Sequence, residues 1–437
     1  MSAIANFPYF EVQFTKDGAV YDSTETQKVV NGVQQDGITD LLVFSHGWNN
    51  DMADARHLYQ EFFTNFGKLL AARDSTKTLD RKFAVLGILW PSKKFAERDL
   101  IPSGAASLAG AVSDDELAEQ IDNLAAALQD PAATQKLEEA KALLTQIDFD
   151  PSARDAFVEK VRASLPTPSA NEEIANDFFN LSGEEVMAKL EVPLDLPTAN
   201  GMGGAASFEG DASGGAAGLG DLLSGAKAAA SRVLNIATYY TMKERAGAVG
   251  QKGVAPLISA ILAATPTLRI HLIGHSFGGR VVAATAFGMA KNDAAHLRSM
   301  SLLQAAFSHN GFAQNFDGSR DGYFRTVITE KKIAGPIIIT YTQNDNAVGK
   351  AYPIASKLSR EDASALGDAK DRFGGMGRNG AQFTPEAEFG MLAAADGKYS
   401  FGAGKIFNLE ATKYIQNHGD VMREEVVGAV LAAVLSS

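Results

Sequence analysis

The chain has no cysteine in 437 residues. Disulfides, a thiol nucleophile and thiolate metal sites are therefore excluded, and a reducing compartment is compatible with the absence. Positive charge is also in short supply. Forty Lys and Arg stand against 52 Asp and Glu, a formal net charge of -12, and no basic stripe interrupts the balance. A nucleic-acid partner is not expected. No apolar run approaches the roughly 18 to 20 residues of a spanning helix. The stretch Met1-Ser2-Ala3-Ile4-Ala5-Asn6-Phe7-Pro8 has neither the basic n-region nor the long apolar h-region of a secretory signal. These absences give a cytoplasmic reading with no integral membrane segment. Metal-ligand spacings, a phosphate loop and a dinucleotide fingerprint are missing too, so no metal and no cofactor are expected. What remains is a chain with 46% hydrophobic residues, long enough for one large domain with an insertion or for two domains.

One stretch organises the rest. Ile270 to Ile273 is a short apolar run that predicts a buried strand. It ends in Gly274-His275-Ser276-Phe277-Gly278, and Val281 to Met289 continues as an Ala-rich helix. Strand, sharp turn and helix with a serine at the apex describe a nucleophile elbow. The two glycines stand where backbone and helix approach too closely for a side chain. The serine hydroxyl would be lifted out of the sheet to a helix N-terminus, where amide dipoles favour developing negative charge.

Around it the chain alternates. Tyr9 to Thr15 predicts an edge strand, and a second short strand is expected near Lys28 to Val30. Leu41 to Phe44 predicts a strand covered on both faces, Asp51 to Ala71 an amphipathic helix, and Lys82 to Trp90 another buried strand. From Lys93 to Leu234 no strand is predicted. Helices are expected over Ser113 to Leu128, Pro131 to Ile147 and Pro151 to Leu165, with shorter ones over Asn171 to Phe179 and Ser182 to Leu190. Gly201 to Gly225 is rich in Gly, Ala and Ser, a flexible loop by composition. Helices at Ser231 to Ala248 and Pro256 to Ala264 lead into the elbow. Strands follow at Leu297 to Phe307, Gly335 to Thr342 and Lys405 to Glu410, with Arg372 to Gly380 as a second Gly-rich stretch and a last helix over Val421 to Leu435. The expected organisation is a mostly parallel α/β sheet with helices on both faces, residues 1–92 and 230–437, interrupted by a helical insertion, 93–229. That insertion is a cap or lid, or a helical subdomain with no gating role.

A serine hydroxyl needs a base to take its proton and a carboxylate to orient that base. Of the seven histidines, His309 and His418 lie in loops after strands. His418, in Asn417-His418-Gly419-Asp420 after the last strand, is the stronger base, because ligand crevices form at the carboxyl ends of parallel strands. His309 is the second choice, or a residue lining the pocket. Asp345, in the turn after Ile337 to Thr342, is the candidate acid, ahead of Asp317 and Asp321 in a Gly-rich loop. An oxyanion needs amides already pointing inward. Phe277, after the nucleophile, offers one backbone N–H, and His46-Gly47-Trp48 at the end of an earlier strand offers a second from Trp48, with Gly47 allowing close approach and His46 beside the pocket. Lys243 and Arg245 could receive an anionic substrate group or form a solvated helix face.

The elbow Gly274-His275-Ser276-Phe277-Gly278, the loop His46-Gly47-Trp48 and the order Ser276, Asp345, His418 resemble the α/β-hydrolase superfamily, over residues roughly 38 to 91 and 230 to 437. Within it, His-Gly-Trp and Gly-His-Ser-Phe-Gly-Gly are similar to lipase- and esterase-like members. The resemblance implies an eight-stranded, mostly parallel sheet with helices on both faces. It also implies attack by Ser276, an acyl-enzyme, and hydrolysis by a water that His418 activates. The expected function is a serine hydrolase cleaving a small-molecule carboxylic ester, soluble acyl esters in preference to lipid aggregates. A thioesterase, lipase or peptidase on the same triad, or a non-catalytic binding protein of the same fold, are the alternatives.

Overall fold

In the computed structural model, residues 2–48, 50–73, 80–92, 112–166, 176–191, 225–345, 347–348 and 374–437 are described. The expected Gly-rich loop 201–225 lies outside them except for Gly225, as do the start of the expected helix at Asn171 and the first residues of the second Gly-rich stretch. The strands are β1 (Ser2–Ile4), β2 (Phe7–Gln13), β3 (Asp40–Ser45), β4 (Phe83–Leu89), β5 (Arg269–His275), β6 (Leu297–Leu303), β7 (Ile337–Tyr341), β8 (Ala387–Met391) and β9 (Ile406–Glu410). They form one nine-stranded sheet in the order β1-β2-β4-β3-β5-β6-β7-β9-β8. β1 runs antiparallel to β2, and the remaining ladders are parallel.

Every residue of β3 and β4 is buried. That follows from near-continuous apolar runs, which need cover on both faces. Successive strand residues point to opposite faces. Leu42, Phe44, Val85, Ile273, Leu303 and Ile338 pack with the helices Met52–Ala71 and Glu424–Leu435. The alternate residues Leu41, Val43, Leu86, Leu272 and Leu302 are equally buried on the other side. There the helix Phe277–Gly288 packs against β5 and against a π-helical turn, Val249–Val254. The chain is thus α/β, with a mostly parallel sheet between helices.

Sheet order positions the site. From β3 the chain moves to β4 on one side, and β5 then pairs on the other side of β3. The winding direction reverses between β3 and β5, which is where α/β sheets open a crevice at the strands' carboxyl ends. The register sets Ser45 opposite Gly274. His46-Gly47 and His275-Ser276 therefore leave the sheet side by side.

Three local expectations change. Lys28 to Val30 is helix, not strand, inside Ser23–Gln35. Asp22 caps it, its side chain accepting from Thr24 N at 2.9 Å, and Val29, Gly32 and Val33 form its buried face at helical spacing. Tyr9 to Thr15 supplies β2, which lies one strand in from the edge because β1 pairs outside it. β8 has no counterpart in the sequence reading. Its large apolar residues, Phe389 and Met391, are exposed, so no buried alternation announces it.

The chain divides into two compact units, one built from Met1–Lys93, Lys243–Val348 and Gly374–Ser437, with the described residues of the other between Lys94 and Met242. Helices Asp114–Leu128, Pro131–Lys141, Pro151–Ala163, Asn176–Asn180 and Gly183–Leu190, with the part of Ala226–Ala248 up to Met242, build the second, with no strand among its described residues. Its helix starts are sharply specified. Ser113 with Glu116 and Ser182 with Glu185 form capping boxes, and Asp130 and Asp150 cap helices that open on proline. Leu117, Ile121, Leu124, Leu137, Phe157 and Phe178 belong to its own core. Against the expectation that no apolar run approaches spanning length, the helical stretch Ala226–Ala264 is long and apolar enough by composition to cross a membrane, and 61% of its most apolar window is buried by protein.

Candidate active site

Ser276 follows β5 and caps the helix Phe277–Gly288 with φ 56° and ψ -125°, a left-handed backbone rare for a non-glycine residue. The surroundings hold it there. Its N–H donates to Leu303 O at 3.0 Å, and its carbonyl accepts from Gly279 N at 3.0 Å and Ala306 N at 2.9 Å. A strained residue persists only when neighbours over-determine it, and such residues cluster at functional sites. The flanking glycines are required by space. A Cβ on Gly274 would strike Gly278 O, and one on Gly278 would strike Ser45 O.

The β3 loop lies directly against this serine. A Cβ on Gly47 would sit 2.6 Å from Ser276 Cβ and 3.2 Å from Ser276 Oγ. His46 holds the loop. Its Nδ1–H donates to Gly47 O at 2.9 Å and its Nε2 accepts from Trp90 N at 3.3 Å, so one neutral tautomer is in place. The ring is 1% exposed and stacks on Trp90. Burial pushes its pKa down to about 4. His46 is thus a neutral strut. Tyr59 completes it, accepting from His46 N at 3.0 Å and donating to Ile88 O at 2.7 Å. Asn50 Nδ2 donates to Gly47 O at 3.2 Å and Trp48 O at 3.1 Å. In a trans peptide the N–H points opposite the preceding carbonyl. Fixing Gly47 O therefore fixes the direction of the Trp48 N–H. The Trp48 ring packs edge-on against Phe277, with centroids 5.7 Å apart. Phe277 itself takes the first helical position, at the positive end of the helix dipole.

Asp345 and His418 meet across 73 residues, with Asp345 Oδ2 2.8 Å from His418 Nδ1. They follow β7 and β9, which are adjacent and parallel. Asp345 is fully buried and its Oδ1 accepts from Val348 N at 2.9 Å. Nδ1 is thus the nitrogen that donates to the carboxylate, and Nε2 stays outside the pair. The two loops are laced together: Asn344 Nδ2 donates to Thr412 O at 3.2 Å and Ile415 O at 2.8 Å, and Thr342 Oγ1 donates to Thr412 Oγ1 at 3.1 Å. The His418 ring also lies 4.9 Å from that of His275, whose Nε2–H donates to His418 O at 2.9 Å. No hydrogen bond joins Ser276 Oγ to His418 in this structure, a contact that often tightens only with substrate bound.

Other candidates occupy different places. His309 is fully buried; Gly374 closes over its ring, its N–H donates to Gly374 O at 2.9 Å, and Asn379 Nδ2 lies 3.2 Å from its Nδ1. Asp317 accepts from Ser319 N and Arg320 N within its own turn, and Asp321 from Asn315 N. Lys243 and Arg245 are both 6% exposed, so neither forms a solvated face. Arg245 donates to Pro91 O, and burial pushes its pKa down to about 10. Sequence reasoning did not anticipate Asn50, Tyr59, Trp90 or Asn344 as supports. Asn344 was visible in the Asn-Asp-Asn turn; the others carried no local signal.

Among the described residues, no group of three or more His, Asp or Glu could hold a metal ion. No protein-family model, no curated protein and no solved structure matches this chain.

Proposed function

We propose that the chain is a serine hydrolase of the α/β-hydrolase type that cleaves carboxylic esters. The observation that carries this reading is the Asp345–His418 hydrogen bond of 2.8 Å, which leaves Nε2 outside the pair, at the same carboxyl end of the sheet as a strained Ser276. The sheet has nine strands where the resemblance implies eight, with β1 a short antiparallel addition at the edge.

In the proposed reaction the Ser276 hydroxyl turns to His418 as substrate enters. Oγ attacks the ester carbonyl while Nε2 takes its proton, and Asp345 stabilises the imidazolium without itself becoming protonated. The new C–O bond leaves negative charge on the carbonyl oxygen, which the Phe277 and Trp48 N–H groups receive. One such donor is worth roughly 100- to 1000-fold in rate. The intermediate collapses, the alcohol leaves with the proton from Nε2, and the acyl group stays on Ser276. A water then repeats the steps, with His418 as base, and releases the acid.

The test is hydrolysis of a chain-length series of p-nitrophenyl esters. The parent turns over at least the short members, and Ser276→Ala loses about 10⁴-fold or more. Full turnover by Ser276→Ala would overturn the nucleophile assignment.

A further inference from the structure

His275 lies beside the nucleophile but has no part in the proton transfers above. It ends β5 at 7% exposure. Its Nε2 is 2.9 Å from His418 O, 143 residues away, and its ring faces the His418 ring at 4.9 Å with 40° between the planes. A carbonyl oxygen only accepts, so Nε2 must carry the proton and Nδ1 the lone pair. Among the described residues Nδ1 has no hydrogen-bond partner, and it lies 3.2 Å from where a Cβ on Gly47 would stand.

We infer that His275 is a positioning residue for the base: it donates to the His418 carbonyl, backs the His418 ring, and so holds the imidazole over the elbow. The inference rests on the reading of Ser276 and His418 as nucleophile and base. Three details support it. Among the described residues, the hydrogen bond on the His418 ring is that of Nδ1 to Asp345, which orients the ring at one point. His275 supplies a second point, on the backbone of the same residue. That point is rigid, because β5 pairs with β3 and β6 on either side. Finally, burial, and then the nearby His418, push the His275 pKa down to about 3. It therefore stays neutral across the working range and does not compete for the proton that His418 must carry.

Glutamine places its Nε2–H at the same number of bonds from Cα as the histidine Nε2–H; asparagine falls one bond short. The experiment is steady-state hydrolysis of a p-nitrophenyl ester by the full chain and by His275→Gln, His275→Asn and His275→Leu, each also with His418→Ala. The expected result is a loss in kcat of about 10- to 100-fold for Asn and Leu with KM unchanged, retention by Gln, and no further loss from any His275 change when His418 is already Ala. Should Leu fail to fold, the Gln against Asn contrast carries the same test. Equal losses with and without His418, or Gln performing no better than Asn, would overturn the inference while leaving Ser276 and His418 in place. A parent chain with no turnover would overturn the hydrolase reading itself, and this inference with it.

Discussion

Two aspartate–histidine pairs sit on one sheet, at opposite ends of its strands. Asp345 and His418 meet at 2.8 Å beyond the carboxyl ends of β7 and β9. Asp40 and His271 meet at 3.0 Å near the starts of β3 and β5. Distance does not separate them; the remaining partners do. Asp40 also accepts from Arg81, Arg269 and Thr39. Burial alone would raise its pKa, but these hydrogen bonds and that of His271 together hold it well below the usual carboxylate range. His271 is fully buried, with Ser299 on Nδ1 at 2.8 Å and Asp40 on Nε2, so neither nitrogen is left for a substrate. His418 keeps 13% of its side chain exposed and has a nitrogen to offer. An Asp–His contact becomes a candidate catalytic pair only when the second nitrogen is open. The first pair is saturated with buried partners; the second is the one we propose to act.

Mutations should separate the two pairs sharply. His418→Ala is expected to lower ester turnover by about 10⁴-fold or more, with an unchanged urea unfolding midpoint. Asp345→Asn should cost about 10⁴-fold, because the amide disfavours the tautomer that frees Nε2. At the other pair the pattern inverts. Asp40→Ala leaves Arg81 and Arg269 without their carboxylate and should cost about 3 kcal/mol or more in urea unfolding, while the folded fraction keeps its kcat. A large kcat loss from Asp40→Ala at full folding would break the comparison. Gly47→Ala pushes a methyl into Ser276 and should lower turnover on the order of 100-fold without altering circular dichroism.

A further expectation concerns pH. Burial holds the folded pKa of His46 near 4 and that of His275 near 3. In the unfolded chain both return to about 6.5. Depressed histidines bind more protons when unfolded, so their contribution to stability is complete above pH about 6.5. It is lost as pH falls toward the folded values, by about 1.4 kcal/mol per pH unit for each. Unfolding free energies measured from pH 7 to 4 should show this slope, and His46→Gln should flatten it; an unchanged slope would count against a neutral buried His46.

How much of this was legible in sequence depended on how local the cause was. β3, β4 and β5 announce themselves because strands covered on both faces must be continuously apolar. The elbow does so because the turn demands Gly274 and Gly278. The helix starts of the second unit do so through Ser113, Asp130, Asp150 and Ser182. The helix Ser23–Gln35 was missed although Asp22 precedes it, because a short Lys-Val-Val run also fits a strand. β8 was missed because its apolar residues face outward. Ser276, Asp345 and His418 could be named one by one from the loops they occupy. What joins them could not: Asn344 reaching Thr412 and Ile415, or His275 reaching His418, are contacts between distant segments, and no local pattern encodes them.

The most direct test of the central claim is labelling with a fluorophosphonate, followed by intact mass and peptide mapping. One adduct on Ser276 is predicted in the parent chain and in Asp40→Ala, with labelling lost in His418→Ala. No adduct on the parent, an adduct on another residue, or labelling indifferent to His418 would contradict it.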